Sequence, residues 1–459
     1  MSTITIKQSL WAAFSIGTLF VCGCSDYLSV KPDQSLAVPN KLQDLQAILH
    51  YESHMIENYP SRGAYGADYY YLTDASWESL NEYGRAVYLW DQAAAGLDLY
   101  YYDWSSSYQR IFDCNVVLDN IEDVALGSLT EGDRERVKGS AYFFRGWTFY
   151  HLAQIFAPQY DPGIGADMFG IPLRLTSDIN DPTVRSSLND TYGRIIQDLK
   201  SAANLLPVGT AYPTQPSKPA VYGALAKVYL VMGDYELAAK YADSCLALRP
   251  DLVDYNTLDI EAEIPFEVFN EEVLLHTTIS NSSAIFFPNY AVVDSNLYKA
   301  YAKDDLRKNL FFLQNDNGTY SFKGNYAANQ YLLFNGIATD EIYLIRAEAN
   351  VRAGNVPEAR DDINKLLVNR WKTGNFEPVT TNDAEELLMR ILEERRKELA
   401  FRGGIRWSDL RRLNTDPKFE TSLTRRIMGK DYQLQPGDSR YTFHIPLDII
   451  ELTGIQQNE

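Results

Sequence analysis

Along much of the chain apolar residues recur at a period near 3.6, most regularly between Pro219 and Pro250. Leu225, Ala226 and Tyr229 form one stripe, and Ala238, Ala242, Cys245, Leu246 and Leu248 form a second, with Gly233 between them. The pattern predicts two antiparallel helices. Ala226 and Ala238 are small where the helices approach, and Tyr229 fills the space beside them. Gly233 supplies the left-handed position that ends the first helix, and Pro250 stops the second. The same offsets return over Asp340–Arg370 through Ala347, Gly354, Ala359 and Ile363, with Pro357 in a first turn where its missing N–H is not needed. Apolar stripes alone predict further helices over Leu36–Met55, Trp104–Ile121, Arg136–Phe156 and Thr191–Leu205, the last N-capped by Asp190 or Thr191. A final helix is predicted from Asp383 to about Arg402.

The spacing at Pro219–Pro250 is that of a tetratricopeptide unit of roughly 34 residues. One such hairpin cannot bury its own apolar face, so neighbours must stack on it, and the expected fold is a mainly α helical-repeat body. Irregular segments interrupt it. Asp161–Asp190 and Leu206–Pro219, rich in Pro, Gly and Asp, read as surface crossings. Asp251–Asn335 turns to short mixed segments, with a strand expected at Glu272–Ile279 and a hairpin at Gln314–Gly324 turning through Asn315-Asp316-Asn317-Gly318.

Lys7 is the sole charge in the first 23 residues, and the apolar run Leu10–Val21 is too short for a spanning helix of about 20 residues. Residues 1–23 therefore read as a signal peptide. Val21-Cys22-Gly23-Cys24 resembles a bacterial lipobox, which makes Cys24 the expected acylated N-terminus. Without residues 1–23 the chain carries 41 basic and 61 acidic side chains, a net charge of −20. That balance argues against nucleic acid or anionic lipid as partner and leaves the acyl chains as the membrane link. Cys114 and Cys245 fall on separate predicted helices and read as small buried hydrophobes. Beyond the signal, residues 24–250 and 251–459 each carry one helical signature and one insertion, and we expect them to form a single body.

Candidate chemistry lies in the insertions. Twelve of the 32 tyrosines fall between Tyr51 and Tyr108, where an even spread would place about four, in a stretch broken by Pro60, Gly63, Gly66, Gly84 and Gly96. Tyr and Trp offer flat apolar faces with a polar tip, which suits sugar rings. Trp104 and Trp147 lie on core stripes. Trp77, flanked by Asp74 and Glu78 and preceded by Tyr69, Tyr70 and Tyr71, is the densest candidate ligand face, with Tyr290 and Tyr298 from the second insertion as an opposite wall. In Glu393–Arg412, with its many arginines, a structural ion-pair network is favoured over a phosphate site, with Glu393–Lys397 and Arg395–Glu398 as local pairs. His50 and His54 have helical metal spacing but no accompanying Glu or third ligand, so no metal or cofactor is expected. No acidic residue sits in a recognisable hydrolase motif.

These residues occur together with an ordered set of short motifs. They include Cys24 to Leu28, Tyr108 and Ile111 with Asn115, Ala141-x-Phe-Phe-Arg145, Gly170 to Leu173 and Asp198-Leu199. Asp305-x-Arg307, Ile345 to Ala349, Asn364 with Arg370, Glu394 to Leu399, Arg406-x-x-Asp409 and Ile445-Pro446 complete it. In this order the chain resembles the SusD/RagB family of outer-membrane lipoproteins of Bacteroidetes. The resemblance implies about four tetratricopeptide-like helix pairs, exposure at the cell surface, and a SusC-like TonB-dependent transporter as partner. It further implies a non-enzymatic role in capturing a nutrient, a glycan or else a peptide; a glycan hydrolase is the competing class. Phe401-Arg402-Gly403-Gly404 departs from the family pattern of an acidic residue with one Gly, which leaves the partners of the arginine network open.

Overall fold

The computed structural model describes residues 39–459 apart from 93, 98–101, 280–289 and 330. The expected signal segment 1–23, Cys24 and the first residues of the predicted Leu36–Met55 helix lie outside the described residues. The body begins with α1 (Leu42–Leu49), which buries Leu42, Leu45 and Leu49. It continues with α2 (Tyr102–Asn120), α3 (Glu131–Phe156), α4 (Leu188–Leu205), α5 (Lys218–Met232) and α6 (Tyr235–Leu246). The last helices of the body are α7 (Thr339–Arg352), α8 (Val356–Leu367), α9 (Ala384–Glu398) and α10 (Ile405–Leu413). From α2 to α8 each helix packs on the next, and α7 also packs on α9. This is the expected mainly α body of stacked antiparallel pairs.

The local reasons are largely those of the sequence. Gly233 ends α5 at φ 75°, and the Asp234 side chain accepts from Leu237 N to start α6. Ala226 and Ala238 are fully buried, and Tyr229 stacks on Tyr241 with ring centroids 5.5 Å apart. Gly354 repeats the turn at φ 85°. The α4 cap is Ser187, whose side chain accepts from Asp190 N, not Asp190 or Thr191. Starting earlier lets Leu188 enter the core, and buries Thr191, whose hydroxyl donates to Ser187 O. The predicted Leu36–Met55 helix is interrupted at His50 and resumes as Glu52–Met55. There Arg110 of α2 donates to the carbonyls of His54 and Glu57, drawing that segment onto α2. Cys114 and Cys245 are buried free thiols.

The scattered motif residues converge into buried ionic clusters. Arg145 of α3 grips Asp198 of α4 through two bonds of 2.7 and 2.8 Å and donates to Asn115 of α2 at 2.9 Å, tying three helices at one point. Gly146 beside this pair lets the helices approach, since a Cβ there would lie 3.0 Å from Asp198 Cβ. Around α9, Arg307 contacts Asp305, Glu394 and Glu398 at 2.6–2.8 Å, and Arg370 joins Glu398 to Glu272, all with side chains fully buried. Arg395 meets Asp409 and Glu341, Arg412 meets Glu348 and Asp409, and Arg402 meets Asp340. The network is structural, but the expected local pairs are not its links. Lys397 binds Glu394 of its own helix and Asp305 from outside it, Glu393 meets Arg390 at the surface, and the buried Arg395 takes Asp409 and Glu341 from other elements.

The helix predicted to run to about Arg402 stops at Glu398. Phe401 adopts φ 59° and stacks between Tyr69 and Phe322, at 5.5 and 4.5 Å. That placement turns the chain out of the helix before α10.

Short strands carry the insertions. β1 (Tyr70–Leu72) pairs antiparallel with β2 (Ala291–Val293), opposing Tyr71 to Val292. β3 (Phe312–Gln314) and β4 (Tyr320–Phe322) form the expected hairpin, with Gly318 at φ 79°. Within the strand expected at Glu272–Ile279, Val273–Leu275 pairs with Ile337–Ala338. A hairpin not anticipated from sequence, β5 (Leu423–Ile427) and β6 (Lys430–Leu434), turns through Met428 and Gly429, both at positive φ.

Candidate functional site

The two insertions meet in the β1–β2 pair. Strand alternation sends Tyr70, Leu72, Ala291 and Val293 into the core and leaves Tyr71, 38 % exposed, on the outer face with the half-buried Val292. Beside that face lies an open pocket of about 330 Å³. Its walls come from Asp68, Tyr70 and Tyr71 of the first insertion, Asp294 and Asn296 of the second, Arg396 of α9, and Thr421 to Arg426 around β5. It thus combines an aromatic edge, several hydroxyls and both signs of charge.

Each charged group has a definite setting. Burial alone would raise the Asp68 carboxyl, but Arg406, bound to it at 2.7 and 2.9 Å, and Arg396 at 3.2 Å hold it well below the usual carboxylate range. Asp294 caps a short helix, its Oδ1 accepting from Asn296 N and Leu297 N. Asp68 is thus held as an ion-paired acceptor, while Asp294 spends its Oδ1 on the helix cap. Arg425 reaches in from β5, donating to the carbonyls of Tyr65, Ala67 and Tyr88 while lying against the rings of Tyr88 and Trp90 at 4.0 and 4.4 Å.

The sequence-predicted ligand residues are only partly brought together. Tyr69 and Tyr70 belong to the core. Their hydroxyls donate to Leu399 O and Tyr65 O, and burial pushes both phenols well above their ordinary range. Trp77 is half-buried, its Nε1 facing Arg85 O at 3.4 Å and its ring carrying the Arg85 guanidinium at 5.6 Å. Asp74 accepts from Met428 N at the tip of the β5–β6 hairpin, and Glu78 is exposed. Tyr290 is half-buried just before β2. Tyr298 stacks on Tyr320 at 3.6 Å with Lys308 over its ring, and burial followed by the Tyr320 hydrogen bond pushes its hydroxyl up to about 12. Of the predicted set only Tyr70 and Tyr71 line the pocket, and of those two only Tyr71 is open to solvent. Asp68, Arg396 and the β5 residues were missed. The alternation of Leu423, Arg425 and Ile427 with Thr424 and Arg426 was the available signal, masked by a Met-Gly turn outside the usual hairpin dipeptides.

A second cleft, of about 300 Å³, has Trp104, Tyr108 and Phe112 along one side and Arg174, Ile179 and Ile449 among its other lining residues. Its polar groups are used internally: Tyr108 donates to Pro172 O, and Asn115 to Arg174 O and Thr176 O. Among the described residues no His, Cys, Asp and Glu group could hold a metal ion, and His54 faces Asp113 at 2.7 Å. No helix among them is long and apolar enough to cross a membrane.

Residues 26–230 match a family model described as "Starch-binding associating with outer membrane", and residues 339–443 match that of the SusD family. The chain belongs to the SusD family. SusD-like protein P2 of Formosa agariphila is 26 % identical to it over 372 residues, covering 68 % of this chain and 71 % of that protein. A SusD superfamily protein from Bacteroides thetaiotaomicron superposes with a TM-score of 0.72 at 22 % identity, covering 91 % of this chain and all of that one. A SusD-like carbohydrate binding protein from Bacteroides vulgatus gives 0.67 at 21 % identity, over 90 % of this chain and 96 % of that one. At those identities the structural likeness carries the SusD-type fold.

Proposed function

We propose that this protein is a non-enzymatic surface receptor, anchored through acylated Cys24, that captures an oligosaccharide and hands it to a SusC-like TonB-dependent outer-membrane transporter. The observation that carries the binding role is the pocket at the β1–β2 junction. It places an exposed tyrosine ring among hydroxyl, amide and guanidinium groups, the combination that stacks on a sugar face and fixes its hydroxyls. Membership of the SusD family supports the nutrient and transporter roles. The engagement of Asp68 and Asp294 favours binding over hydrolysis, which needs two carboxylates free to act across a cleft.

Within this reading Tyr71 is the stacking contact, while Asp74, accepting from Met428 N, steadies the hairpin that forms the far wall. Calorimetry against an oligosaccharide panel tests it. Tyr71→Ala is expected to weaken binding by about 0.5–1.5 kcal/mol with the fold unchanged. Unaltered affinity for a saccharide that the parent binds removes Tyr71 from the site, and capture of peptides with no saccharide bound replaces the glycan reading.

A further inference from the structure

The charge of the pocket runs against that of the protein. The whole chain carries a formal charge of −19, yet three guanidiniums line this pocket, Arg396, Arg425 and Arg426, against two carboxylates, Asp68 and Asp294. Those carboxylates are already engaged. Asp68 is held by Arg406 from behind the wall as well as by Arg396, and Asp294 spends its Oδ1 on the two backbone N–H groups of its helix.

The arginines are matched only in part. Arg425 is 6 % exposed, its hydrogen bonds go to three neutral carbonyls, and no carboxylate among the described residues lies within ion-pair distance of it. Arg396 has a buried Nε with no hydrogen-bond partner and shares its one carboxylate with Arg406. Arg426 is 70 % exposed and meets Asp431 at 3.4 Å, a pair weak enough to exchange for a ligand. The local surplus is positive. A cleft with low-dielectric walls concentrates such a field, and guanidinium forks match the paired oxygens of carboxylate and sulfate groups.

Resting on the glycan-binding reading above, we infer that the ligand is an anionic saccharide, one carrying uronate carboxylates or sulfate esters, whose charged group sits against Arg396 and Arg426 while its ring lies on Tyr71. Arg425 is a fixed background charge, and Thr421, Ser422, Thr424 and Asn296 supply partners for sugar hydroxyls. The acidic remainder of the surface disfavours a polyanion elsewhere, so the pocket also selects where such a chain docks.

The test is calorimetry with oligosaccharides in matched pairs: oligogalacturonates against their methyl-esterified forms, and sulfated galactan oligosaccharides against their desulfated forms. The acidic member of one pair is expected to bind at least about tenfold more tightly than its neutral counterpart, and which pair does so separates carboxylate from sulfate recognition. R426Q and R396Q should each reduce that preference several-fold. Because the preference is a ratio within one protein sample, partial unfolding of a variant does not imitate the effect. Neutral members binding as well as or better than acidic ones overturn the inference and leave the glycan receptor intact. Acidic preference undiminished in both variants overturns the assignment to this pocket. Failure to bind any saccharide removes the glycan reading and this inference together.

Discussion

Asp198→Asn is the sharpest probe of the scaffold, because it changes one charge where three helices are fastened. The Asp198 side chain is fully buried, and Arg145 is 5 % exposed on its side chain. The substitution weakens two charge-assisted bonds of 2.7 and 2.8 Å, each worth about 1.5–3 kcal/mol. Asparagine retains one acceptor, and Arg145 keeps Asn115, so the loss is incomplete. It nonetheless leaves a buried guanidinium without its anion, for which about 3–5 kcal/mol is expected. Arg145→Met should cost a similar amount, since the remaining cation near Asp198 is Arg194 at 3.2 Å, itself partly exposed. The double variant Arg145→Met/Asp198→Asn removes both charges together and should fall short of the summed single effects by at least about 2 kcal/mol. Urea unfolding followed by tryptophan fluorescence reads this as a shift of midpoint at unchanged slope. Single variants within about 1 kcal/mol of the parent, or a double variant equal to the sum, would refute the claim that this pair clamps α2, α3 and α4.

Two further predictions concern charge and anchoring. Burial raises Asp340 to about 7 despite Arg402, with Glu272 and Glu398 adding to the shift. The folded chain therefore keeps a proton that the unfolded chain releases from about pH 4, and its stability declines as pH rises toward about 7 by up to about 1.4 kcal/mol per pH unit. Lowered His50, His151, His276 and His444 act in the opposite direction. The quantity to measure is thus the stability of the parent minus that of Asp340→Asn, which should fall across that window; a flat difference contradicts the assignment. For the anchor, Cys24→Ala should release the protein from membranes or leave it as precursor, and retention after a high-salt wash would place the anchor elsewhere.

The helical array was readable because its determinants are local. Ala226, Gly233 and Ala238 announce a close-packed hairpin through size and backbone freedom alone, and each occupies the predicted place. Partners of buried charges are not encoded that way. Nothing near Arg307 in sequence points to Glu398, ninety-one residues on, since an ion pair in the interior has no periodicity to betray it. The site was legible in part for the same reason. Aromatic excess marked the insertions, but the position of a tyrosine within a strand decides whether it faces the core, as Tyr70 does, or solvent, as Tyr71 does. Register of β1 against β2 is set by a segment more than two hundred residues away. Arg396 was read as one member of a basic run, and only its placement on α9 opposite Asp68 distinguishes it from its neighbours.

The closure of these clusters also fixes an order in time. Arg307 waits eighty-seven residues for Glu394, Arg402 answers Asp340 from sixty-two residues away, and Asp68 receives Arg406 only after 338 further residues have been made. A ribosome delivers the acceptor in the first insertion almost a whole protein before its cation. Until α9, α10 and β5 arrive, the chain made before them holds carboxylates and arginines that cannot be buried without penalty, so the nascent chain has reason to remain open. The segment from α9 onward acts as a latch, and a product truncated before Glu394 should persist as a soft, protease-sensitive body instead of a smaller folded domain.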